Sequence, residues 1–158
     1  MSRIIVVGGT ASGKTYLKDR YVSRGFKFGI SHTTREPREG EINGQHYYFV
    51  SDEQFNELIR RDKFYEYVEY SRYKYGRTKD EFYSADIFVM EPQGVSKIKE
   101  EDRKDTFIIF IDLSEEVRIE RLKKRGTDLE TIQKRIQKDR DIFGDFTDYD
   151  LLINNPNF

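Results

Sequence analysis

The chain has 158 residues, with 28 Lys and Arg against 29 Asp and Glu and a formal net charge of −1. That is enough for one domain with a real core, and too balanced for the global basic field of a nucleic-acid binder. Hydrophobic residues make up 36% and aromatics, all Tyr and Phe, 15%, a content that argues against a disordered chain.

No Cys is present, so there are no disulfides and no thiolate ligands, which fits a reducing compartment. Two histidines, His32 and His46, are too few for a zinc site. The only apolar run near the start, "RIIVV", is too short for a signal or membrane segment, and the expectation is a soluble cytoplasmic protein.

In chain order, residues 3–7 form a β-branched run, the mark of a buried parallel strand. It runs into "GGTASGKT" and then "YLKDRYVS", which reads as a helix. A short strand is expected over 26–30. Residues 33–84 change character, with many aromatics, much charge, and alternating stretches "HYYFV" and "FYEYVEYS". Between these, "SDEQFNELIRR" starts on a Ser or Asp cap and places Phe55, Leu58 and Ile59 on one helical face. "ADIFVM" and "TFIIFID" read as buried strands. "SEEVRIERLKKR" reads as an amphipathic helix with Val117, Ile119 and Leu122 as its apolar residues. "GTDLETIQKRIQKDRDIF" gives a turn and another helix, and "DYDLLINN" a last strand. Strands alternating with helices imply an α/β fold around a parallel sheet with right-handed crossovers.

The stretch Gly8 to Thr15 fits GxxxxGK[ST], with Gly8, Gly13, Lys14 and Thr15 at the fixed positions. Glycines let backbone N–H groups turn inward on phosphate oxygens, and the helix that follows aims its positive end at the same place. Lys14 is suited to the β- and γ-phosphates and Thr15 to Mg²⁺. No NKxD motif of a GTPase is present, and the length is small for an ATPase motor.

The run "SHTTREPREG", Ser31 to Gly40, follows directly on the strand expected over 26–30, near the strand ends where α/β sheets bind ligands. Pro37 excludes a helix interior, so Arg35 and Arg38 lie on a loop and can converge on one anion, bidentately.

Taken with "SHTTREPREGEINGQHYYFVSDEQFNELIRRDKFYEY", "YKYGRT" and "RLKKRGTD…KRI", the chain closely resembles the guanylate kinase family over nearly its whole length. The resemblance implies a P-loop parallel-sheet core flanked by helices (1–32, 85–123 and 136–158), a small α+β NMP-binding insertion (33–84) and a lid (124–135). It implies transfer of the ATP γ-phosphate to GMP or dGMP, with Mg²⁺, by a monomer or homodimer that binds neither nucleic acid nor membrane. The ATP site would comprise Gly8, Ala11, Ser12, Gly13, Lys14, Thr15 and Tyr16, with Asn154 near the adenine. Arg35, Arg38, Tyr47 and Tyr75 would hold the acceptor phosphate, Ser31 the guanine carbonyl, and Glu66 the guanine ring N–H and amine. A carboxylate only accepts hydrogen bonds, so Glu66 would suit guanine and face a lone pair on adenine. Lys14, Arg35, Arg121, Arg125 and Arg135 would neutralise the transferred charge. Arg118 and Arg140 lie in the same segments without an implied role.

The chain departs from the family at two places. Arg77, with Thr78 after it, stands where the family has a hydroxyl that contacts guanine. "VMEPQG" puts Val89 and Glu91 where the family has two aspartates. Glu91 keeps the carboxylate that helps read the guanine amine, whereas Val89 removes an acid near the metal. Arg77 either substitutes for the hydroxyl, donating to guanine O6 and N7, or points into solvent. The helix between "YGRT" and "ADIFVM" is expected to be nearly absent.

A phosphate acceptor is already a nucleophile, so no general base is required, and catalysis rests on alignment and charge neutralisation. The insertion and lid are expected to close over both nucleotides and exclude water. Two alternatives are a kinase of the same fold acting on another nucleoside monophosphate or modified base, and a guanylate-kinase-like scaffold domain that binds phosphopeptides.

Overall fold

The computed structural model describes residues 2–70 and 72–158. The chain divides into two compact units, Met1–Gly25 with Val89–Phe158, and Phe26–Phe88.

The first unit is built on β1 (Arg3–Gly8), β7 (Thr106–Ile111) and β8 (Leu151–Ile153). β1 pairs with β7 in parallel from Arg3↔Thr106 to Gly8↔Ile111, and β7 with β8 from Ile109↔Leu151 to Ile111↔Ile153. Within this unit the strands run in the order β1-β7-β8, and of β6 (Ile87–Val89) only Val89 belongs to it. Ile5, Val6, Val7, Ile108, Ile109, Phe110 and Ile111 are buried, as expected of β-branched and apolar runs covered on both faces. The helices are α1 (Lys14–Val22), the short α4 (Pro92–Val95) and α5 (Glu100–Arg103), α6 (Glu115–Lys124) and α7 (Leu129–Phe143). The fold is α/β, a parallel sheet flanked by helices.

α6 and α7 pack through Leu122, Ile132 and Ile136, with Ile119 alongside and Ala11 of the loop after β1 in the same cluster. α6 is less simply amphipathic than its sequence: Val117 is only half-buried, while Arg118 is buried. Residues 124–135 are the end of α6, a turn at Gly126 and the first half of α7.

The second unit holds a mixed sheet in the order β3-β2-β5-β4. Its strands are β2 (Ser31–Thr33), β3 (Tyr47–Phe49), β4 (Phe64–Tyr70) and β5 (Tyr73–Thr78). β2 and β3 are parallel, the other pairs antiparallel, and the β4–β5 register shifts between Phe64 and Glu66. α2 (Asp52–Arg60) starts on a capping box in which Ser51 and Gln54 satisfy each other's backbone N–H. Its Phe55 is fully buried against Phe64, with ring centroids 4.4 Å apart.

Two expectations are corrected here. Residues 26–30 form no strand of their own: Phe28 makes an isolated bridge to Ile87, Gly29 lies under the Phe88 ring, and the ladder begins only at Ser31. The helix after "YGRT" is present as α3 (Lys79–Ser84), because Thr78 caps it by accepting from the Glu81 N–H. Phe82 anchors it, stacked on Tyr65 at 3.7 Å.

Candidate active site

β1 ends at Gly8, and the loop that follows curves through two left-handed residues, Ala11 (φ 57°) and Gly13 (φ 97°), before α1 begins at Lys14. Such alternation turns consecutive N–H groups to one side and makes an anion-binding concavity. Ser12 Oγ is buried without a hydrogen-bond partner, a polar atom suited to a ligand. Lys14 Nζ donates to the carbonyls of Gly8 (2.6 Å) and Gly9 (3.0 Å). Burial pulls the Lys14 ammonium below its ordinary pKa, and Asp139 and Glu91 push it back up. Thr15 and Tyr16 are exposed on the first turn of α1, and Asn154 is exposed just after β8.

Asp139 of α7, absent from the expected site, accepts from the Thr10 N–H at 2.8 Å and pairs with Arg118 of α6 at 2.7 Å. Arg118 also reaches the Thr10 carbonyl. Arg121 donates to the carbonyls of Ala11 and Pro156, both at 3.1 Å. Of Arg121, Arg125 and Arg135, expected to neutralise the transferred charge, Arg121 meets the phosphate loop in these hydrogen bonds. Arg125 and Arg135 are exposed, one capping α6 and the other on α7. Glu91 stands at the N-terminus of α4, and desolvation raises its carboxyl while Lys14 lowers it.

In the second unit the hydroxyls of "SHTTREPREG" have distinct tasks. Thr33 Oγ1 donates to the Lys74 carbonyl and accepts from the Arg35 N–H, and Thr34 Oγ1 accepts from the Lys74 N–H. These bonds pin the arginine loop to β5. Arg35 is 9% exposed and holds Glu41 through both guanidinium nitrogens, at 2.7 and 3.0 Å. The Arg38 N–H donates to the same carboxylate at 2.7 Å, while the Arg38 side chain is exposed. Arg35 lies 5.3 Å over the Tyr47 ring, and Tyr47 stands 6.3 Å from Tyr75. Bonded to Arg35, Glu41 is an internal anion in an anion cradle, and its carboxyl is held down at about 2. Glu41 is not among the expected site residues; its one local signal is an acid six residues after Arg35.

Register brings Tyr47, Ser31, Arg77 and Glu66 into one row. Ser31 pairs with Tyr47 and Glu66 with Arg77, and the His32↔Gly76 pair places Ser31 beside Arg77. Residues in one row share a face. Arg77 NH2 donates to Ser31 Oγ (2.9 Å) and NH1 to Glu66 Oε1 (3.1 Å), with the guanidinium 5.0 Å over the Phe88 ring. The Arg77 and Glu66 side chains are only 4% and 8% exposed. An arginine pointing into solvent is therefore ruled out. Thr78 Oγ1 is engaged as the α3 cap.

A family model described as guanylate kinase matches residues 1–158. A guanylate kinase of Neisseria gonorrhoeae is 35% identical over 161 aligned residues, covering 96% of this chain and 78% of its own length. One of Baumannia cicadellinicola is 42% identical over 140 residues, covering 84% and 68%. The crystal structure of guanylate kinase from Anaplasma phagocytophilum superposes with a TM-score of 0.68 at 25% identity, over 98% of this chain and 77% of that one.

Proposed function

The chain belongs to the guanylate kinase family, and from that premise we infer that it transfers the γ-phosphate of ATP to GMP, giving ADP and GDP. The observation that carries this is a family match along the whole chain with Gly8, Gly13, Lys14 and Thr15 of the phosphate loop intact. Reaction with dGMP is part of the same proposal, since no residue in the row is assigned to the ribose.

In this reading the inward N–H groups of the loop and Lys14 hold the ATP phosphates, Lys14 exchanging its carbonyl partners for phosphate oxygens. Arg121, Arg125 and Arg135 add positive charge as it shifts in the transition state. The donors fit Mg²⁺, which in phosphoryl-transfer sites keeps several waters and few protein ligands. Thr15 offers the hydroxyl and Val89 contributes no ligand, while Glu91 keeps its expected place as the carboxylate for the guanine amine. Mg²⁺ would neutralise phosphate charge. Arg35, Arg38, Tyr47 and Tyr75 hold the acceptor phosphate, displacing the hold of Arg35 on Glu41. Ser31 and Glu66 read the base. The setting is the cytoplasm, where the nucleotides are.

A coupled ADP-release assay over the common ribo- and deoxynucleoside monophosphates tests this. GMP and dGMP are expected to turn over far faster than AMP, CMP or UMP. Turnover with none of them, or preference for another base, would overturn the reading.

A further inference from the structure

Arg77 does more than fill the place of a hydroxyl. We propose that Arg77 is a specificity-determining positioning residue, which sets the hydrogen-bonding polarity of both groups that meet the base. The inference rests on the guanine-reading roles given above to Ser31 and Glu66.

The argument starts from donor arithmetic. A guanidinium has N–H donors and no acceptor, and a serine hydroxyl has one O–H and two lone pairs. Because Arg77 donates to Ser31 Oγ at 2.9 Å, that oxygen is already an acceptor on one side. Its own proton and one lone pair are left for another partner, and with a cation already donating to the oxygen the hydroxyl is biased toward donating. On the other side Arg77 donates to Glu66 Oε1 at 3.1 Å. A carboxylate oxygen held by a guanidinium N–H is engaged as an acceptor. One buried guanidinium thus biases Ser31 toward donating and engages Glu66 as an acceptor, in a single row across three strands. Guanine offers the complement along its Watson–Crick edge: a carbonyl acceptor, then ring N–H and amine donors. Adenine offers a donor and then an acceptor, opposed at both points.

The proposal differs from the expectation that Arg77 donates to the base itself. One N–H of each terminal nitrogen is engaged, with Ser31 and with Glu66, and the guanidinium lies over Phe88. The ionisable groups that face it are Glu66 on β4, Tyr47 on β3 and Glu81 on α3. In this proposal Arg77 acts through the two groups it holds.

The test compares the parent enzyme with Arg77→Met, which keeps the length and loses the donors, and Arg77→Lys, a point charge without the planar fork. Steady-state kinetics are measured with GMP, with IMP, which lacks the 2-amino group, and with AMP. For Arg77→Met the KM for GMP is expected to rise about tenfold or more while kcat falls less than about threefold, and the preference for GMP over IMP and AMP to shrink by about tenfold. The KM for ATP should stay unchanged, which separates positioning from general damage. Arg77→Lys should fall between the two. A folded Arg77→Met enzyme whose base preferences match the parent's within about twofold overturns the proposal. If Arg77→Met does not fold, Arg77→Lys decides by the same criterion. If the parent turns over no GMP, the functional reading fails first; calorimetric binding of GMP and IMP to parent and variant then gives the same ratio without turnover.

Discussion

Glu41 is one carboxyl whose environment can be read through acid titration. The two guanidinium bonds from Arg35 and the N–H of Arg38 hold it at about 2, well below an ordinary glutamate. A depressed native pKa contributes stability that is present above the unfolded value and is lost as pH falls toward the native one. Glu41→Gln should therefore destabilise the protein by about 2 kcal/mol at neutral pH. The gap from the parent should narrow by about 1 kcal/mol at pH 3.5, where the unfolded parent has taken up its proton and the native parent has not. Urea denaturation at the two pH values checks this, and an equal gap at both would show that the pair contributes nothing through ionisation. GMP itself should shift the balance, because its phosphate competes with Glu41 for Arg35.

At the scale of elements, α6 and α7 are joined to the phosphate loop by charge as well as by apolar packing. Arg118 and Asp139 are about 10% exposed and meet at 2.7 Å, with Thr10 N–H on the same carboxylate. Removing one partner of such a pair leaves a buried charge uncompensated. Asp139→Ala should cost about 3 kcal/mol, and a second change, Arg118→Leu, should recover much of it. Chemical denaturation of the single and double variants measures this; purely additive losses would mean the pair is not coupled.

The same pair shows where sequence reading stops. The phosphate loop was legible because its glycines, Lys14 and Thr15 are local and fixed in spacing. "SDEQF" narrowed the cap of α2 to Ser or Asp, and the structure resolves it as Ser51 in a capping box with Gln54. Arg118 and Asp139 lie 21 residues apart, and Asp139 lies 129 from Thr10. Each looks like ordinary helix surface until two helices and a loop are assembled. α3 was hidden for a related reason: six residues carry too little periodicity, and its cap, Thr78, had already been read as a ligand. Arg77 was noticed as a departure, but its partners are set by β-sheet register, which no spacing along the chain reveals.

For the whole molecule, the proposed sites give each nucleotide a distinct set of backbone amides. Residues proposed for GMP, namely Ser31, Arg35, Arg38, Tyr47, Glu66 and Tyr75, all belong to Phe26–Phe88, while Glu91 does not. The phosphate loop, α1, α6 and α7 belong to the other unit. Hydrogen exchange should accordingly show GMP alone slowing amides of β2, β4 and β5, and ATP alone slowing residues 8–15. Protection by GMP centred on the phosphate loop instead would place the acceptor on the wrong unit.

Ala11 has a consequence for how the protein fails on heating. A non-glycine in the left-handed region costs about 1 kcal/mol, and burying its methyl group returns about 0.8 kcal/mol. The curvature of the loop is therefore supported by Leu122, Ile132 and Ile136 around that methyl, beside the hydrogen bonds that Lys14, Arg121 and Asp139 make with the loop. Loosening of the α6–α7 pair on heating should accordingly weaken the hold on ATP phosphates, so ATP affinity is expected to fall as that pair melts.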